Sequence, residues 1–326
     1  MVIGRPANAV GAEPKSRAAT IRAIEISRDI PTIRRAKARL GFAFVIPAVL
    51  LSLVFVVTPV AIAIYLSLSQ WNGLSADMRF VGFDNFLKLS RDPIFGGALA
   101  NNLIWIVIGT LTPLVLGTLL ALLLWAHTAG SGVYRLLFFV PYILPSVVIS
   151  LVWTWIYNPL NGWANRILGS VGLSSLQQPW LAQPKTVIYV ILFAAIWGAT
   201  GFSVLILFSA LQGVDEEYVD AARINGANLV QIIWHVILPQ IAPVLVTLTI
   251  YTLVGGFTVF DIVFIMTGGG PSHASDVIGT YAYQMAFDLS ETGYGTAAAL
   301  LIAVFALPCV ILLNWVQRRL ELRELI

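Results

Sequence analysis

The stretch from Gln212 to Pro243, QGVDEEYVDAARINGANLVQIIWHVILPQIAP, is an acidic interruption between two long apolar runs, Ile188 to Ala210 and Val244 to Met266. Asp215 is a good N-cap, and Glu216 and Glu217 fall in the first turn, where the helix dipole favours negative charge. Gly226 supplies a left-handed stop, so a short helix over Glu216 to Asn225 is predicted. Asn228 caps a second helix, in which Leu229, Ile232, Ile233, Val236 and Ile237 form one apolar stripe. Pro239 is expected to bend the chain toward the next run. Two helices around a glycine turn suggest a DNA reader, but Asp215, Glu216, Glu217 and Asp220 against a single Arg223 would repel phosphates, so nucleic acid is excluded as a partner. A plain connection and a docking element remain. Loops of this length without function are uncommon, and Ala221 and Ala222 give the first helix a small profile for a partner to fit against.

Outward from this segment, apolar runs dominate the chain. A bilayer core about 30 Å thick needs about 20 apolar residues in helix. Six stretches reach that length: Phe42 to Leu68, Leu103 to Ala126, Leu136 to Ile156, Ile188 to Ala210, Val244 to Met266 and Ala297 to Val316. Of the 326 residues 58% are hydrophobic and only 11% charged, too few to cover a water-soluble fold. The expected class is an all-α polytopic membrane protein with six transmembrane helices. The first run is too long for a signal-peptide core and no small-residue cleavage site follows it, so it is expected to stay in the membrane.

Six spans put both termini on one side. Near the membrane, that side carries Arg34, Arg35, Lys37, Arg39, Arg135, Arg223, Arg318, Arg319 and Arg323; the other carries Arg79, Lys88, Arg91, Arg166 and Lys185. The excess predicts cytoplasmic N- and C-termini. The predicted organisation is a basic tail over 1–39, lying near anionic lipid headgroups, a six-helix domain over 40–318 containing the segment 212–243, and a short tail over 319–326.

Chemistry motifs are scarce. The single Cys309 excludes an intramolecular disulfide, and His127, His235 and His273 are scattered, so no metal site is expected. No G-x-x-x-x-G-K-[ST] occurs, and no lysine follows a glycine, so the chain makes no P-loop. No G-x-S-x-G, HExxH or carboxylate pair suggests catalysis, so no catalytic residue and no cofactor is expected. Asp261 is the sole charged residue within the six runs. At mid-bilayer a charge costs at least about 2.5 to 3.5 kcal/mol, which favours a site facing protein or water. It lies about 7.5 Å of helix rise from the end of its run. A cavity-facing acceptor and a structural cap for a backbone break near Thr267 to Gly270 are the two readings.

The run Asp220-Ala221-Ala222-Arg223-Ile224-Asn225-Gly226, followed by Val236-Ile237-Leu238-Pro239, resembles the cytoplasmic coupling motif of bacterial ABC importer permeases, E-A-A, three residues, G, then I-x-L-P. Asp220 stands where Glu is commoner, Asn225 where Asp is frequent, and Val236 where Ile is usual. Further stretches, FVGFDNF (80–86), RLLFFVPYILP (135–145) and VFDIVFIMTGGGP (259–271), are similar to carbohydrate-importer permeases of the maltose and glycerol-phosphate type. The resemblance covers about Ala43 to Val316.

It implies a type I importer permease of MetI-like architecture in the bacterial cytoplasmic membrane. Its partners would be a second homologous permease, a dimer of ATP-hydrolysing subunits and an extracytoplasmic sugar-binding protein. ATP would be bound by the separate ATPase, coupled through Glu217, Asp220, Ala221, Ala222, Arg223, Gly226 and Pro239. The outer segments 70–101, 157–186 and 267–295 would receive the binding protein. For a sugar cargo, Asp261 offers an acceptor to hydroxyls, while Trp153, Trp155 or Phe260 offers a stacking face. Gly255 and Gly256 permit close helix approach or local unwinding. Interfacial tryptophans and glycine packing sites are the plainer readings. An ion-coupled secondary transporter or channel is the competing function and would need further ionisable residues or an inverted repeat.

Overall fold

The computed structural model describes residues 44–126 and 131–323. The predicted basic tail 1–39, His127 and the last three residues lie outside them. The chain divides into two compact units, Met1–Ile62 and Ala63–Ile326. The described part of the first is the start of α1, Phe44–Ser67, whose ladder is widened by a π turn at Leu53–Val57.

In the second unit α1 ends in a two-stranded hairpin, β1 Ser69–Gln70 with β2 Arg79–Phe80, followed by the short α2 Asp84–Leu89. The long apolar α3, Pro93–Ala126, leads to α4 Ser131–Ile143 and α5 Ser146–Ile156. Then come α6 Trp163–Ser170, α7 Val187–Leu211, α8 Glu216–Ile224 and α9 Leu229–Phe257. The chain closes with α10 Asp261–Thr267, α11 Ile278–Tyr283 and α12 Thr292–Arg323. Among the described residues, five helices are long and apolar enough to span a bilayer, or six if the broken pair α4 and α5 is one span. This is a multi-pass helical membrane protein.

Two expected spans are not continuous helices. The run Leu136 to Ile156 turns by 97° between Ile143 and Ser146. Pro145 has no N–H to give the ladder and itself takes φ −55° and ψ 146°, outside the helical region, so the apolar run breaks although its hydropathy does not. The run Val244 to Met266 ends as a helix at Phe257, and Phe260 has φ −148° and ψ −63° before α10 resumes. In the other direction, the helix of span five begins fifteen residues before the apolar run, at Leu229, and passes through Pro239. Pro239, the expected bend, lies inside a continuous helix. A π turn at Ile233–Ile237 absorbs the missing donor, with the Leu238 amide reaching back to the Ile233 carbonyl. α12 likewise runs through the expected tail boundary as far as Arg323.

Three apolar clusters hold the second unit together. Val187, Ile191 and Leu192 of α7 meet Ile149 of α5 and Val263 of α10. Leu207 and Leu211 of α7 meet Leu124 of α3, Val219 of α8 and Ile237 of α9. Leu89, Phe95, Ile278, Tyr281 and Ala297 join α2, α3, α11 and α12 on the third side. α4 lies against α7 where a Cβ on Gly201 would strike the Phe138 carbonyl, so that crossing requires glycine.

Candidate functional site

The hairpin of α8 and the start of α9 is built from its caps. Asp215 Oδ1 accepts the Glu217 amide at 2.9 Å. Glu216 and Glu217 occupy the first turn and Arg223 the last, so both helix poles meet the favourable charge. After Ile224 the chain turns at Gly226, φ +82°, a conformation that costs an L side chain roughly 1–2 kcal/mol. The Gly226 and Ala227 amides bond back to the Arg223 and Ala222 carbonyls, both at 3.0 Å. Asn228 and Gln231 then form a reciprocal capping box, each side chain accepting the other's amide at 2.9 Å. Gln240 Oε1 takes the Asp215 amide at 3.1 Å and ties the hairpin to α9.

Val219 is buried and Ala222 half-buried against the α3–α7–α9 core, whereas Ala221 points outward. The outward face also carries Glu217 and Asp220, the latter paired with Arg223 at 3.1 Å between two well-exposed side chains. Exposed pairs of this kind contribute about 1 kcal/mol or less. Tyr218, Ala221 and Ile224 lie at three-residue spacing, with Ile224 87% and Tyr218 64% exposed. An otherwise acidic helix thus presents an apolar strip that nothing among the described residues covers. The sequence motif drew attention to the alanines; the helical spacing of Tyr218 and Ile224 from Ala221 was the signal for the strip.

About 33 Å along α9 from the capping box, by helix rise, lies a cavity of about 540 Å³. Four helices wall it: Trp105 and Gly109 from α3, Tyr142 from α4, Phe202 from α7, and Tyr251, Thr252 and Gly255 from α9. Tyr142 stacks on Phe202 with centroids 4.7 Å apart, and Tyr251 sits 5.1 Å from the same ring. The two tyrosine hydroxyls are hydrogen-bonded at 3.2 Å. The lining includes hydroxyls and aromatic faces and no charged side chain.

Of the four residues singled out for a substrate path, Gly256 lines this cavity. It is also where α9 passes closest to α3, since a Cβ there would lie 3.2 Å from Ile106 Cα. Trp153 packs at the edge of a ring cluster with Tyr157, Phe193 and Trp197, its indole N–H buried without a hydrogen-bond partner. Phe260 stacks on Phe264 beside Tyr283. Trp155 is well exposed. Asp261 begins α10 at the helix break and accepts a hydrogen bond from Ser146 Oγ at 3.1 Å, joining the breaks of spans three and five.

Asn102 completes that break. Only 1% exposed, it donates to the Gly256 and Phe257 carbonyls at 3.1 and 3.4 Å and accepts the Ile278 amide at 2.6 Å. It therefore satisfies carbonyls that the end of α9 leaves open. On the loop between α10 and α11, fully buried Asp276 accepts from Thr280 Oγ1 at 2.8 Å and Gln284 Nε2 at 3.1 Å, and meets His273 Nδ1 at 2.6 Å. Sequence reading passed over both residues. Asn102, with Asn101, stands at the start of an apolar run, where amides are a signal; Asp276 reads as an ordinary loop acid.

The family model of the binding-protein-dependent transport system inner membrane component matches residues 113–324. The chain belongs to this permease family. The diacetylchitobiose uptake system permease protein NgcF of Streptomyces coelicolor is 31% identical to it over 81% of the chain and 78% of its own length. The trehalose/maltose transport system permease protein MalF of Thermococcus litoralis is 29% identical over 86% of the chain and 94% of its own length. In fold, the permease is similar to a chain from the crystal structure of a bacterial ABC transporter involved in import of the acidic polysaccharide alginate. The TM-score is 0.74, with 24% identity, 90% of this chain and 97% of that one covered. It is thus a transport component of the inner membrane.

Proposed function

We propose that this permease forms half of the translocation pathway of an ABC importer for di- or oligosaccharides. It pairs with a second, homologous permease and is driven by an ATPase dimer bound to the α8 hairpin. The observation that carries the reading is the uncovered apolar strip Tyr218, Ala221, Ile224 on a doubly capped helix, a rigid surface for another protein to grip. α9 starts at the hairpin and ends at the cavity, so a push on one end changes the walls at the other. Nucleotide-driven closure of the ATPase would move α8, and α9 would switch the cavity between inward and outward access. Such a switch requires ligands that prefer one state.

The cargo reading rests on the cavity chemistry and on the relatives. Uncharged aromatic walls suit pyranose faces, and the Tyr142 and Tyr251 hydroxyls both donate and accept. Relatives are named for uptake of diacetylchitobiose and of trehalose and maltose. The alginate transporter has also been crystallised with a periplasmic protein bound to an alginate pentasaccharide, which supports an extracytoplasmic sugar-binding protein as partner here. The arginine and lysine distribution supports cytoplasmic termini and, with them, an α8 on the cytoplasmic face.

Reconstitution of the chain with its co-purified subunits in vesicles tests this. Uptake of labelled chito- or malto-oligosaccharides is expected only with ATP inside and a sugar-binding protein outside. Accumulation driven by an ion gradient without ATP would replace the importer reading with a secondary transporter.

A further inference from the structure

A polar hollow of about 330 Å³ lies where the β1–β2 hairpin, α2 and the start of α12 meet, and it shares no residue with the four-helix cavity. Its frame is tied from three sides. Asn85 of α2, 3% exposed, donates to the Ser67 and Ser69 carbonyls at 2.9 and 3.0 Å. The Gly293 amide of α12 donates to the Trp71 carbonyl at 3.1 Å, and a Cβ on Gly293 would strike the Ser69 carbonyl, so helix and hairpin are in backbone contact. The Trp71 indole N–H donates to the Ser75 carbonyl at 2.8 Å, which fixes the ring in the wall. Asp77, Glu291, Arg79 and Lys88 line the same space with Trp71 and Tyr294. Among the described residues none of these four charges is in an ion pair, so acids and bases stand apart around one hollow. Asn85 also lines it, with its Nδ2 hydrogens spent on the two carbonyls and its Oδ1 accepting no bond from a described residue.

We propose that this hollow binds an uncharged sugar, as a second carbohydrate site separate from the four-helix cavity. Two carboxylates and two cations give its wall no net charge, so a simple anion or cation would meet like charge on one side. A sugar hydroxyl both donates and accepts, so it can bridge Asp77 or Glu291 to Arg79 or Lys88 and give a hydrogen bond to Asn85 Oδ1. Trp71 and Tyr294 supply ring faces for the apolar side of a pyranose. The volume is at the low end of small-molecule sites, about 300–1,000 Å³, which suits one or two sugar rings rather than a long chain. With cytoplasmic termini the hollow opens on the extracytoplasmic side, where sugar arrives. The site rests on that proposed orientation, whereas its chemistry is independent of what the four-helix cavity carries.

The test places the full-length chain with its co-purified subunits in nanodiscs, without a binding protein, and adds maltose carrying a photoreactive group. Labelled peptides are mapped by mass spectrometry. Label is expected on residues 70–88 and 290–294, and unlabelled glucose should compete for it better than glucose 6-phosphate or glucosamine. Trp71→Ala should lower this label about 5-fold, the scale of one lost stacking contact. Asp77→Ala and Lys88→Ala, at exposed positions that do not hold the frame together, should each lower it and leave any label on α4, α7 and α9 unchanged. Label confined to α4, α7 and α9 would overturn the outer site while leaving the importer reading in place. Label on residues 70–88 and 290–294 alone would support the outer site and count against sugar in the four-helix cavity. Stronger competition by glucose 6-phosphate or glucosamine than by glucose would overturn the uncharged class. Label at 70–88 that is the same in Asp77→Ala, Lys88→Ala and the unaltered chain would overturn the proposed contacts.

Discussion

Replacing Ile224 by Ser isolates the coupling contact from the fold. Ile224 sits at the last residue of α8, 87% exposed, with no described side chain covering it, so the isolated chain loses little packing. Ser and Ile have similar helix propensity, and surface substitutions of this kind usually change stability by no more than about 0.5 kcal/mol. If an ATPase buries Ile224 fully, the lost transfer free energy is about 2 kcal/mol, which is roughly 30-fold in the dissociation constant. The assay is a titration of the purified ATPase subunit onto the permease in nanodiscs, alongside the ratio of sugar imported to ATP hydrolysed. Leu160→Ser is the control, because Leu160 is 85% exposed in the segment between α5 and α6, remote in the chain from the hairpin. Ile224→Ser should weaken ATPase binding by that factor and lower the transport ratio, while Leu160→Ser should leave ATPase binding unchanged. An unchanged dissociation constant for Ile224→Ser, with Tyr218→Ser equally silent, would refute the argument that the strip is a docking face.

Other variants probe the helix break and the outer layer. Asn102→Ala leaves two buried carbonyls and one amide without partners, at about 1–3 kcal/mol each, so a clear fall in the thermal midpoint in detergent is expected. An unchanged midpoint would mean that water replaces the amide. Asp261→Asn keeps an acceptor for Ser146 Oγ and should retain uptake, whereas Asp261→Leu should reduce it; equal uptake by both variants would remove any role for that hydrogen bond. Burial pushes the Asp92 carboxyl up, but hydrogen bonds from Tyr281, the Ile94 and Phe95 amides and Tyr294 outweigh it and hold it below its ordinary value. A depressed carboxylate stabilises above its unfolded value and loses that contribution as pH falls. The α2–α11–α12 layer should therefore exchange amide hydrogens faster below about pH 4. Asp92→Asn should flatten that pH dependence.

Hydropathy alone determined the membrane class, and local caps alone determined the hairpin. Asp215, Gly226, Asn228 and Gln231 act within four residues of what they cap, so their geometry is contained in the sequence that carries them. The spans were legible only as apolar runs. Where a run breaks depends on whether released carbonyls find partners, and those partners come from far along the chain: Asn102 for the end of α9, Ser146 for Asp261. Periodicity finds apolar faces but cannot tell which of them meet. For that reason Tyr142, Phe202 and Tyr251 drew no notice singly and became a cavity wall only when α4, α7 and α9 came together. Pro239 shows the same division, since a local rule predicts an interruption and a π turn carries the packed helix through it. Short-range hydrogen bonding and burial preference belong to the sequence; pairing between distant backbone groups and the spaces left between helices belong to the tertiary structure.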